Sequence, residues 1–276
     1  MSGGARLPGG EAGVEVAAIQ LPHRFGEVAG ALAELSALLA AEALHGVQLA
    51  LLPEASFTGY VSGRGNFDLR RFAEPLDGPT LAEVAALACR SGVAIAAPLI
   101  EVDGACFYNS LVLVDGEGRR VGHWRKRHPW LPERWASEGN LGTPVVEVVG
   151  LRVTAAICFD IHFVSEEAGA SLDAADVLLF PSAWVDSPAH VDLRRKILPA
   201  VARRHRIGVV NANWGPPRQR TLHALAGQGT SRILDARGRL VASAAPGAQA
   251  AVVRATVSTG PGEGDGDEAQ AREEKA

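Results

Sequence analysis

The chain has 276 residues, 47% of them hydrophobic and 21% charged, so it can bury a large core as one large domain or two small ones. Its formal net charge is -4 and its sequence pI is about 6.1. Acidic and basic residues are interspersed, which argues against a nucleic-acid-binding protein because no basic stripe can form. Three cysteines, Cys89, Cys106 and Cys158, lack CxxC spacing and favour a reducing compartment over a disulfide framework.

The sequence also predicts a cytoplasmic protein without a membrane segment. No stretch approaches about 18 uninterrupted apolar residues, and the first residues have neither the basic nor the apolar region of a signal peptide. Residues 1–12 are Gly-rich and residues 259–276 are acidic and Gly-rich, so neither segment can bury enough apolar surface to offset the entropy of ordering. We therefore expect two disordered tails around one domain over residues 13–258.

The first part of this domain alternates strands and helices. The segment 14–20 reads as a strand, and apolar residues at helical spacing predict a helix over 28–44. The continuous apolar run 47–53 suits a strand buried on both faces. A long Gly-rich loop over 55–78 and a helix over 79–90 follow.

Hairpins interrupt the alternation in the middle of the domain. Three strand-like segments, joined by Asp-Gly and Asp-Gly-Glu-Gly turns, lie at residues 93–100, 107–114 and 119–124. An irregular loop rich in Pro, Gly and Trp follows over 126–144. These segments predict antiparallel strands beside the alternating part.

A second alternating stretch completes the chain. Its predicted strands are 145–148, 151–157, 176–180, 207–212, 229–234, 240–244 and 250–257. Its predicted helices are 166–175 and 189–206, the second with a kink at Pro199. Alternating units at both ends with hairpins between them indicate an α/β protein with mixed sheets covered by helices. If the two halves pack sheet on sheet, the fold is a four-layer αββα sandwich with the helices outside.

Lys126 is unusual in this composition, because it is one of only three lysines among 27 basic residues. It lies between two arginines at the end of a strand-like run, so positive charge alone does not distinguish the position. An ammonium is a compact donor whose pKa responds to its surroundings, whereas a guanidinium stays charged and spreads its donors over a planar fork. The alternative is that Lys126 stands on a basic loop by chance. Chemical partners close to the lysine would make that alternative less convincing.

Two candidate partners end apolar runs in the same way. Glu54 follows Leu51-Leu52-Pro53 at a predicted strand carboxyl end, where open α/β folds collect active-site groups. A cap on a helix or loop is the alternative for this glutamate. Cys158 follows the apolar run 153–157 and precedes an abruptly polar turn, a geometry that presents a side chain beside free backbone N–H groups. An isolated cysteine after an apolar run is otherwise most often a small buried hydrophobe.

Together the three side chains predict covalent hydrolysis. A carboxylate can take the thiol proton, and a nearby ammonium can stabilise the thiolate and later an oxyanion. The thiolate can then attack an acyl or nitrile carbon. Attack on an amide would give an acyl-thioester enzyme, which water hydrolyses.

Competing constellations have less support in the sequence. It has no GxSxG, no GxxxxGK[ST], and no GxGxxG after the first strand, the motifs of serine hydrolases and nucleotide-binding proteins. Cys158 and His162 have i, i+4 spacing for zinc, but no second Cys/His pair accompanies them, so we expect no metal and no cofactor. A papain-like pair of Cys158 with His128, His162 or His205 stays open, although it would leave the glutamate and the lysine unexplained.

Six motifs in one order resemble the nitrilase superfamily of carbon-nitrogen hydrolases, and the resemblance runs from about Val14 to Val257. The motifs are Leu51-Leu52-Pro53-Glu54, Trp124-Arg125-Lys126-Arg127-His128-Pro129, Ala156-Ile157-Cys158-Phe159-Asp160, Leu179-Phe180-Pro181-Ser182-Ala183-Trp184, Val209-Val210-Asn211-Ala212-Asn213 and Gly229-Thr230-Ser231-Arg232-Ile233-Leu234-Asp235-Ala236-Arg237-Gly238. Each motif is weak alone, whereas six in the family's order are specific.

The resemblance implies the αββα fold and roles for individual residues. It implies Glu54 as general base, Lys126 as cationic stabiliser, Cys158 as nucleophile, and the backbone N–H of Phe159 as an oxyanion donor. Glu133 matches a second glutamate that many members carry after the lysine, where it positions substrate and supports that lysine. A surface-loop carboxylate is the alternative for Glu133. The candidate substrate-binding residues are Tyr60, Phe159, His162 and Trp184.

Two departures from the family pattern bear on the substrate. The segment 162–166 reads His-Phe-Val-Ser-Glu where many relatives have Arg-Phe-Pro-Glu, in a turn that lines the family's pocket. Phe159-Asp160 follows the cysteine where nitrile-cleaving members have Trp-Glu, and it is more similar to the amidases. We therefore expect a small amide substrate, cleaved at a non-peptide C–N bond to release ammonia or an amine and a carboxylic acid.

Other functions stay open from the sequence. N-carbamoyl amino acid hydrolysis or nitrile hydrolysis would use the same residues, and acyl transfer would follow if an amine replaced water. A non-catalytic binding protein on the same fold is an alternative of another class, although it would not need all three side chains. Family members commonly dimerise, so the resemblance implies a homodimer or higher homo-oligomer, and we expect no nucleic-acid or membrane partner.

Overall fold

The computed structural model describes residues 13–184, 191–216 and 229–258. The tails predicted over 1–12 and 259–276 therefore lie outside the described residues. Within the described ranges, no helix has the length and apolar character that crossing a bilayer would require.

The strands of the described chain form two six-stranded sheets. They are β1 (Val14–Gln20), β2 (Leu49–Leu51), β3 (Ala94–Asp103), β4 (Cys106–Val114), β5 (Arg120–Arg125), β6 (Val146–Val148), β7 (Leu151–Ala155), β8 (Val177–Ser182), β9 (Gly208–Asn213), β10 (Arg232–Leu234), β11 (Leu240–Ser243) and β12 (Ala251–Val257). The strand orders are β12-β1-β2-β3-β4-β5 and β11-β10-β9-β8-β7-β6. In the first sheet, β1, β2 and β3 run parallel to one another, and in the second sheet β7, β8 and β9 do so. The remaining neighbours in both sheets are antiparallel. Both sheets are therefore mixed, as predicted.

Helices cover the outer face of each sheet. They are α1 (Val28–Ala40), α2 (Pro79–Ser91), α3 (Val164–Glu167), α4 (Gly169–Ala174) and α5 (Val191–His205). Leu35 of α1 and Val84 of α2 share one apolar cluster with Ile95 of β3. Leu198 of α5 and Phe180 of β8 share another. One pair of helices thus covers the first sheet, and the helices of the second half cover the other.

The inner faces of the two sheets form a core of their own. Val16 of β1 belongs to the same buried cluster as Val153 of β7 and Leu179 of β8, whereas Ala17 and Ile19 of β1 belong to the cluster under the helices. This division follows from the alternation of side chains along a strand. Each fully buried aliphatic side chain contributes roughly 1.5–3 kcal/mol to stability. The layers are therefore helix, sheet, sheet and helix, which confirms the predicted αββα sandwich.

Several element boundaries differ from the prediction. The helix predicted over 28–44 ends at Ala40, because Ala41 adopts extended backbone with φ -83° and ψ 151°. The single helix predicted over 166–175 is split into α3 and α4, because Ala168 leaves helical geometry and a glycine, a poor helix former, follows it.

Two further differences concern strand ends that carry polar residues. The strand predicted over 47–53 is paired only at Leu49–Leu51, and Pro53 has no N–H to extend the ladder. The polar turn after the seventh strand is a short 3₁₀-helix over Cys158–His162, which the sequence pattern did not predict. The start predicted for the last helix, residue 189, lies outside the described residues.

Candidate active site

Polar groups from both sheets meet where strands end. Glu54 follows β2 and Lys126 follows β5. These two strands run in the same direction, because β2 and β3 are parallel and two antiparallel pairings separate β3 from β5. Cys158 and Ala183 follow β7 and β8, which are parallel. The backbone N–H of Ala183 donates to Oε2 of Glu54 over 2.8 Å, so the ends of the two sheets are joined directly.

Lys126 is buried between two carboxylates. Its Nζ atom donates to Oε1 of Glu54 over 2.7 Å and to Oε2 of Glu133 over 2.6 Å. The Lys126 and Glu54 side chains are fully buried and that of Glu133 is 1% exposed. The structure thus places Glu133 inside the molecule beside the lysine, and not in the surface loop considered as its alternative.

Burial and charge act against each other on these ionisable groups. Burial alone would lower the pKa of Lys126, but the charges of Glu133 and Glu54 outweigh it and raise this pKa well above its usual value. Lys126 is therefore an ammonium at neutral pH. Burial raises the pKa of Glu54, and the charge of Lys126 opposes that rise. A carboxylate with a raised pKa accepts a proton more readily, which suits a general base.

Cys158 stands on a strained turn. Its φ of +50° lies in the left-handed region, which residues other than glycine adopt at a cost. Burial raises the pKa of the Cys158 thiol well above its usual value and the charge of Glu54 adds to this rise, whereas Lys126 opposes it. The resting group is therefore a thiol and needs a base to become a nucleophile. The Glu54 carboxylate lies close enough to the Cys158 thiol to raise its pKa, and it is placed to accept the thiol proton.

Asn109 is a member of this cluster that the sequence analysis missed. It lies in β4 and is 1% exposed. Its Nδ2 atom donates to Oε1 of Glu54 over 2.8 Å and to Oε1 of Glu133 over 2.7 Å. The polar pair Asn109-Ser110 inside the largely apolar strand β4 was the signal available for it.

Asp160 ties the lysine loop to the cysteine turn. Its Oδ1 atom accepts the backbone N–H of His128 over 2.8 Å and that of Arg127 over 3.1 Å. Its Oδ2 atom accepts the backbone N–H of Ile157 over 3.2 Å. One carboxylate therefore fixes the residues just after Lys126 against the residue just before Cys158.

Tyr60 lies at the end of a tight turn. The N–H of Gly59 donates to the carbonyl oxygen of Ala55 over 2.7 Å. Gly59 has φ +73°, and a Cβ there would lie 1.7 Å from the carbonyl oxygen of Arg24, so the turn requires glycine. The Tyr60 ring centre lies 5.9 Å from Nζ of Lys126. Its buried hydroxyl has no hydrogen-bond partner among the residues that the structure describes.

A cavity of about 230 Å³ opens beside the thiol. Its lining residues are Trp130, Cys158, Phe159, His162, Ala183, Trp184 and Leu193. The ring centres of His162 and Trp184 lie 5.8 Å apart and those of Phe159 and His162 lie 5.0 Å apart. Three of the four predicted substrate-binding residues thus line this cavity, whereas Tyr60 lies on the Lys126 side of the site. Trp130 and Leu193 were not predicted, because they come from loop and helix positions that no motif marks.

The cavity wall is mainly aromatic and aliphatic. Burial lowers the pKa of His162, so this ring is neutral at pH 7. None of the other residues that line the cavity in the described part of the chain carries a side-chain cation. An uncharged, apolar group fits such a wall better than a carboxylate does, since a buried unpaired charge is costly.

The histidines of the papain-like alternative lie in different surroundings. His128 is held by two carboxylates, with Nδ1 3.1 Å from Asp160 and Nε2 3.2 Å from Glu167. His205 pairs with Asp173 over 2.7 Å. Of the three histidines considered, His162 is the one that lines the cavity. Within the described ranges, no group of three or more His, Cys, Asp or Glu side chains could hold a metal ion.

Comparison with known sequences points in one direction. A family model described as Carbon-nitrogen hydrolase matches residues 15–260. A hydrolase of Pseudomonas protegens, named for its position in the pqqF 5' region, is 35% identical over 174 residues, which are 62% of this chain and 59% of that protein. An (R)-stereoselective amidase of a Pseudomonas species is 30% identical over 205 residues, which are 72% of this chain and 70% of that protein. The chain thus spans less than two thirds of the first of these relatives.

Comparison with solved structures supports the same fold. An amidase from Nesterenkonia sp. has a TM-score of 0.77 and 21% sequence identity, over 98% of this chain and 99% of that chain. At this identity the likeness establishes the shared fold alone.

Proposed function

The chain belongs to the carbon-nitrogen hydrolase family, and we propose that it is a cysteine-dependent amidase acting on a small, non-peptide amide. The family match confirms the resemblance to the nitrilase superfamily that six motifs indicated. One observation carries the finer proposal. Lys126 is held between Glu54 and Glu133, within hydrogen-bonding distance of both, beside a thiol on a strained turn.

In the proposed first half-reaction, Glu54 takes the proton of the Cys158 thiol as Sγ bonds to the amide carbon. The carbonyl oxygen gains the negative charge, which the Lys126 ammonium and the backbone N–H of Phe159 stabilise. The first N–H groups of a helical turn have no partner within that turn, so the Phe159 N–H suits this role. The C–N bond then breaks, and the proton held by Glu54 moves to the leaving nitrogen. Ammonia or an amine departs, and a thioester on Cys158 remains.

In the second half-reaction, water attacks the thioester carbon and gives one proton to Glu54. The C–S bond breaks, the sulfur recovers that proton from Glu54, and a carboxylic acid leaves. One water is consumed for each amide cleaved, and no oxidant, reductant or metal is needed. Glu133 holds the Lys126 head group through both steps. The Tyr60 hydroxyl, which has no hydrogen-bond partner in the described part of the chain, is proposed to contact the substrate, while Phe159, His162 and Trp184 enclose its apolar group.

The cavity supports an amide over an N-carbamoyl amino acid. A cavity of about 230 Å³ offers the room of about eight water molecules at roughly 30 Å³ each, which suits a small acyl group. An N-carbamoyl amino acid would bring a carboxylate into a wall of Trp130, Phe159 and Trp184. Nitrile hydrolysis uses the same nucleophile and remains the second alternative.

A product assay tests this proposal. Small uncharged amides, ureido acids of matched size and the corresponding nitriles are supplied to the purified chain, and ammonia and carbon dioxide are measured. We expect ammonia from the apolar amides, with kcat/KM at least about 100-fold above that for a matched amide ending in a carboxylate. Cys158→Ala should abolish turnover while leaving the thermal unfolding transition in place.

The outcomes separate the parts of the proposal. Carbon dioxide released from a ureido acid at a higher kcat/KM would make the amide assignment wrong and leave the cysteine mechanism standing. Turnover that survives in Cys158→Ala would contradict the mechanism itself. A chain that turns over none of the three classes would support a binding protein on this fold.

Two other proposals come from the sequence. We propose a homodimer, which light scattering on the purified chain would test. We also propose a cytoplasmic location, supported by the free state of the cysteines in the described chain, namely Cys89, Cys106 and Cys158.

A further inference from the structure

Asn109 donates hydrogen bonds to both carboxylates of the site. One Nδ2 atom lies 2.8 Å from Oε1 of Glu54 and 2.7 Å from Oε1 of Glu133. The chemistry of its neighbours fixes the orientation of the amide, because an amide oxygen in the place of Nδ2 would face two carboxylate oxygens without a donor. Asn109 therefore gives both N–H groups of its side chain to the two glutamates.

The four groups form a closed ring. Lys126 bridges Glu54 and Glu133 from one side through Nζ, and Asn109 bridges the same two residues from the other. Two carboxylates and one ammonium leave a net negative charge among these buried side chains. Asn109 offsets the cost of that charge with two hydrogen bonds, and it adds neither a charge nor a proton that could be exchanged with substrate.

A second observation separates this role from ordinary core packing. The Oδ1 atom of Asn109 is buried and has no hydrogen-bond partner in the described part of the chain. A buried asparagine retained for structure would normally satisfy its oxygen as well as its nitrogen. The backbone carbonyl of Asn109 accepts the Lys126 N–H over 2.8 Å, a contact that any side chain at this position would keep.

We propose that Asn109 is a positioning residue that holds the two glutamates around Lys126 and keeps Glu54 ionised as the base for Cys158. The inference rests on the proposed function, because it takes Glu54 as the base.

The direction of the effect follows from the charges around Glu54. The ionisable groups that face its carboxylate are Lys126, Glu133, Cys158 and Tyr60. Burial already raises the pKa of Glu54, and Glu133 adds to the rise. The Asn109 hydrogen bond favours the ionised form. Without it, the pKa of Glu54 should rise further, and the base should become available only at higher pH.

The test measures the reactivity of the thiol and needs no substrate. In a Cys89→Ser, Cys106→Ser background, Cys158 is the one remaining cysteine of the chain. Its alkylation by iodoacetamide is followed by intact mass from about pH 4 to about pH 9, a range that spans the usual carboxyl and thiol pKa values. The acid limb reports the coupled ionisation of Glu54 and Cys158. Asn109→Leu and Asn109→Ala, which remove the donor without adding a charge, should move this limb upward by about one to two pH units, the size expected for losing one hydrogen bond to a charged group. Asn109→Ser, which keeps one small donor, should move it less.

A matched control is available in the second sheet. Asn211 is also a fully buried asparagine in a strand, and its Nδ2 atom donates to the carbonyl oxygen of Phe180 over 2.9 Å and to Oγ of Ser182 over 3.0 Å. Asn211→Leu should lower the unfolding temperature and leave the acid limb of Cys158 alkylation where it is.

Each outcome has one meaning. An unshifted limb in folded Asn109→Ala or Asn109→Leu overturns the inference, even if their thermal stability falls. If Asn109→Leu fails to fold, the comparison of Asn109→Ala with Asn109→Ser still decides, because only the first is expected to shift strongly. Failure of the proposed function has another signature: Glu54→Gln would then leave the acid limb of the starting background unchanged.

Discussion

The Nζ atom of Lys126 lies 2.6 Å from Oε2 of Glu133, and both side chains are buried. The same Oε2 atom accepts the backbone N–H of Trp130 over 2.6 Å. Glu133 therefore cannot turn away without breaking these two hydrogen bonds and the one that it accepts from Asn109. The ammonium occupies a space closed on two sides by oxygens of Glu54 and Glu133, which leaves little tolerance for a differently shaped cation.

The first prediction concerns that shape. Lys126→Arg keeps the positive charge, but the planar guanidinium is larger and cannot place one donor between the two carboxylates. We expect kcat/KM for a turned-over amide to fall at least about 100-fold, the usual cost of removing one oxyanion donor. Lys196→Arg on the exposed face of α5 is the matched control and should leave both activity and melting temperature unchanged. More than half of the activity remaining in Lys126→Arg would contradict the role given to this residue.

The second prediction decides between a carboxylate base and an imidazole base. Glu54→Gln keeps the size of the side chain and removes its basicity, so turnover should fall at least about 100-fold. His162→Gln should retain kcat within about tenfold, because the histidine encloses the substrate and takes no proton in the proposed mechanism. Both variants are compared by steady-state ammonia release and by circular dichroism. The papain-like alternative requires the reverse order of activities.

The sequence predicted the fold and two members of the site, Glu54 and Cys158, for one physical reason. Strands buried between layers are continuous apolar runs, and a charged or nucleophilic residue at the end of such a run is conspicuous. Glu54 and Cys158 occupy such positions, whereas Lys126 stood out as a rare lysine between two arginines, and the structure brings the three residues together. Only the tertiary structure shows that the strands before these residues end side by side, where the two sheets meet.

Other parts of the site had no local signal strong enough to read. Asn109 lies inside a strand, and its partners are 55 and 24 residues away along the chain. Asp160 was noted as a neighbour of the cysteine, but its contact with the lysine loop spans 32 residues. The cavity wall takes Trp130 and Leu193 from segments whose conformation depends on packing against the rest of the protein. Long-range hydrogen bonds and loop packing cannot be predicted from the periodicity of the sequence.

The third prediction tests Asp160 as the connection between the segment that carries Lys126 and the segment that carries Cys158. Asp160→Asn replaces one acceptor oxygen by a donor, so either the N–H of Ile157 or those of Arg127 and His128 must lose their partner. We expect kcat to fall about tenfold or more with a smaller change in KM, because reactive groups displaced by a fraction of an ångström lose rate before they lose binding. Asp235→Asn is the control, since Asp235 also accepts two backbone N–H groups, at 2.9 and 2.8 Å, in a turn remote from the site.

The same substitution has a pH signature. The hydrogen bond from His128 to Asp160 raises the pKa of His128 above its usual value of 6.5. A raised pKa means that this pair stabilises the fold fully below pH 6.5, and that its contribution is lost as pH rises through the folded-state pKa of His128. The difference in melting temperature between the wild type and Asp160→Asn should therefore be larger at about pH 5.5 than at about pH 8.5. The first value lies about one unit below the usual pKa of histidine, and the second lies about two units above it. An equal difference at both values would show that the imidazole takes no part in the connection.

The fourth prediction concerns Glu101, which anchors the strand that delivers Lys126. Arg125, the last residue of β5, donates to both carboxylate oxygens of Glu101, and the Ser110 hydroxyl donates to Oε2 over 2.6 Å. Burial alone would raise the pKa of Glu101, but hydrogen bonds from His123, Arg125 and Ser110 outweigh it and lower the pKa to about 2. Lowering the pKa of Glu101 from 4.5 to about 2 corresponds to about 3 kcal/mol of folding stability at neutral pH.

Because the pKa of Glu101 is depressed, its contribution is present above pH 4.5 and is lost as pH falls through about 2. Glu101→Gln should therefore lower the free energy of unfolding at pH 7 by up to about 3 kcal/mol, measured by urea denaturation, and this deficit should shrink steadily as the pH falls from 4.5 toward 2. Glu83→Gln is the matched control. The Glu83 side chain is 47% exposed and pairs with Arg90 on the surface of α2, so its replacement should change stability by less than about 1 kcal/mol. A Glu101→Gln deficit that stayed constant with pH would mean that packing, and not the charge of Glu101, fixes the end of β5 beside Lys126.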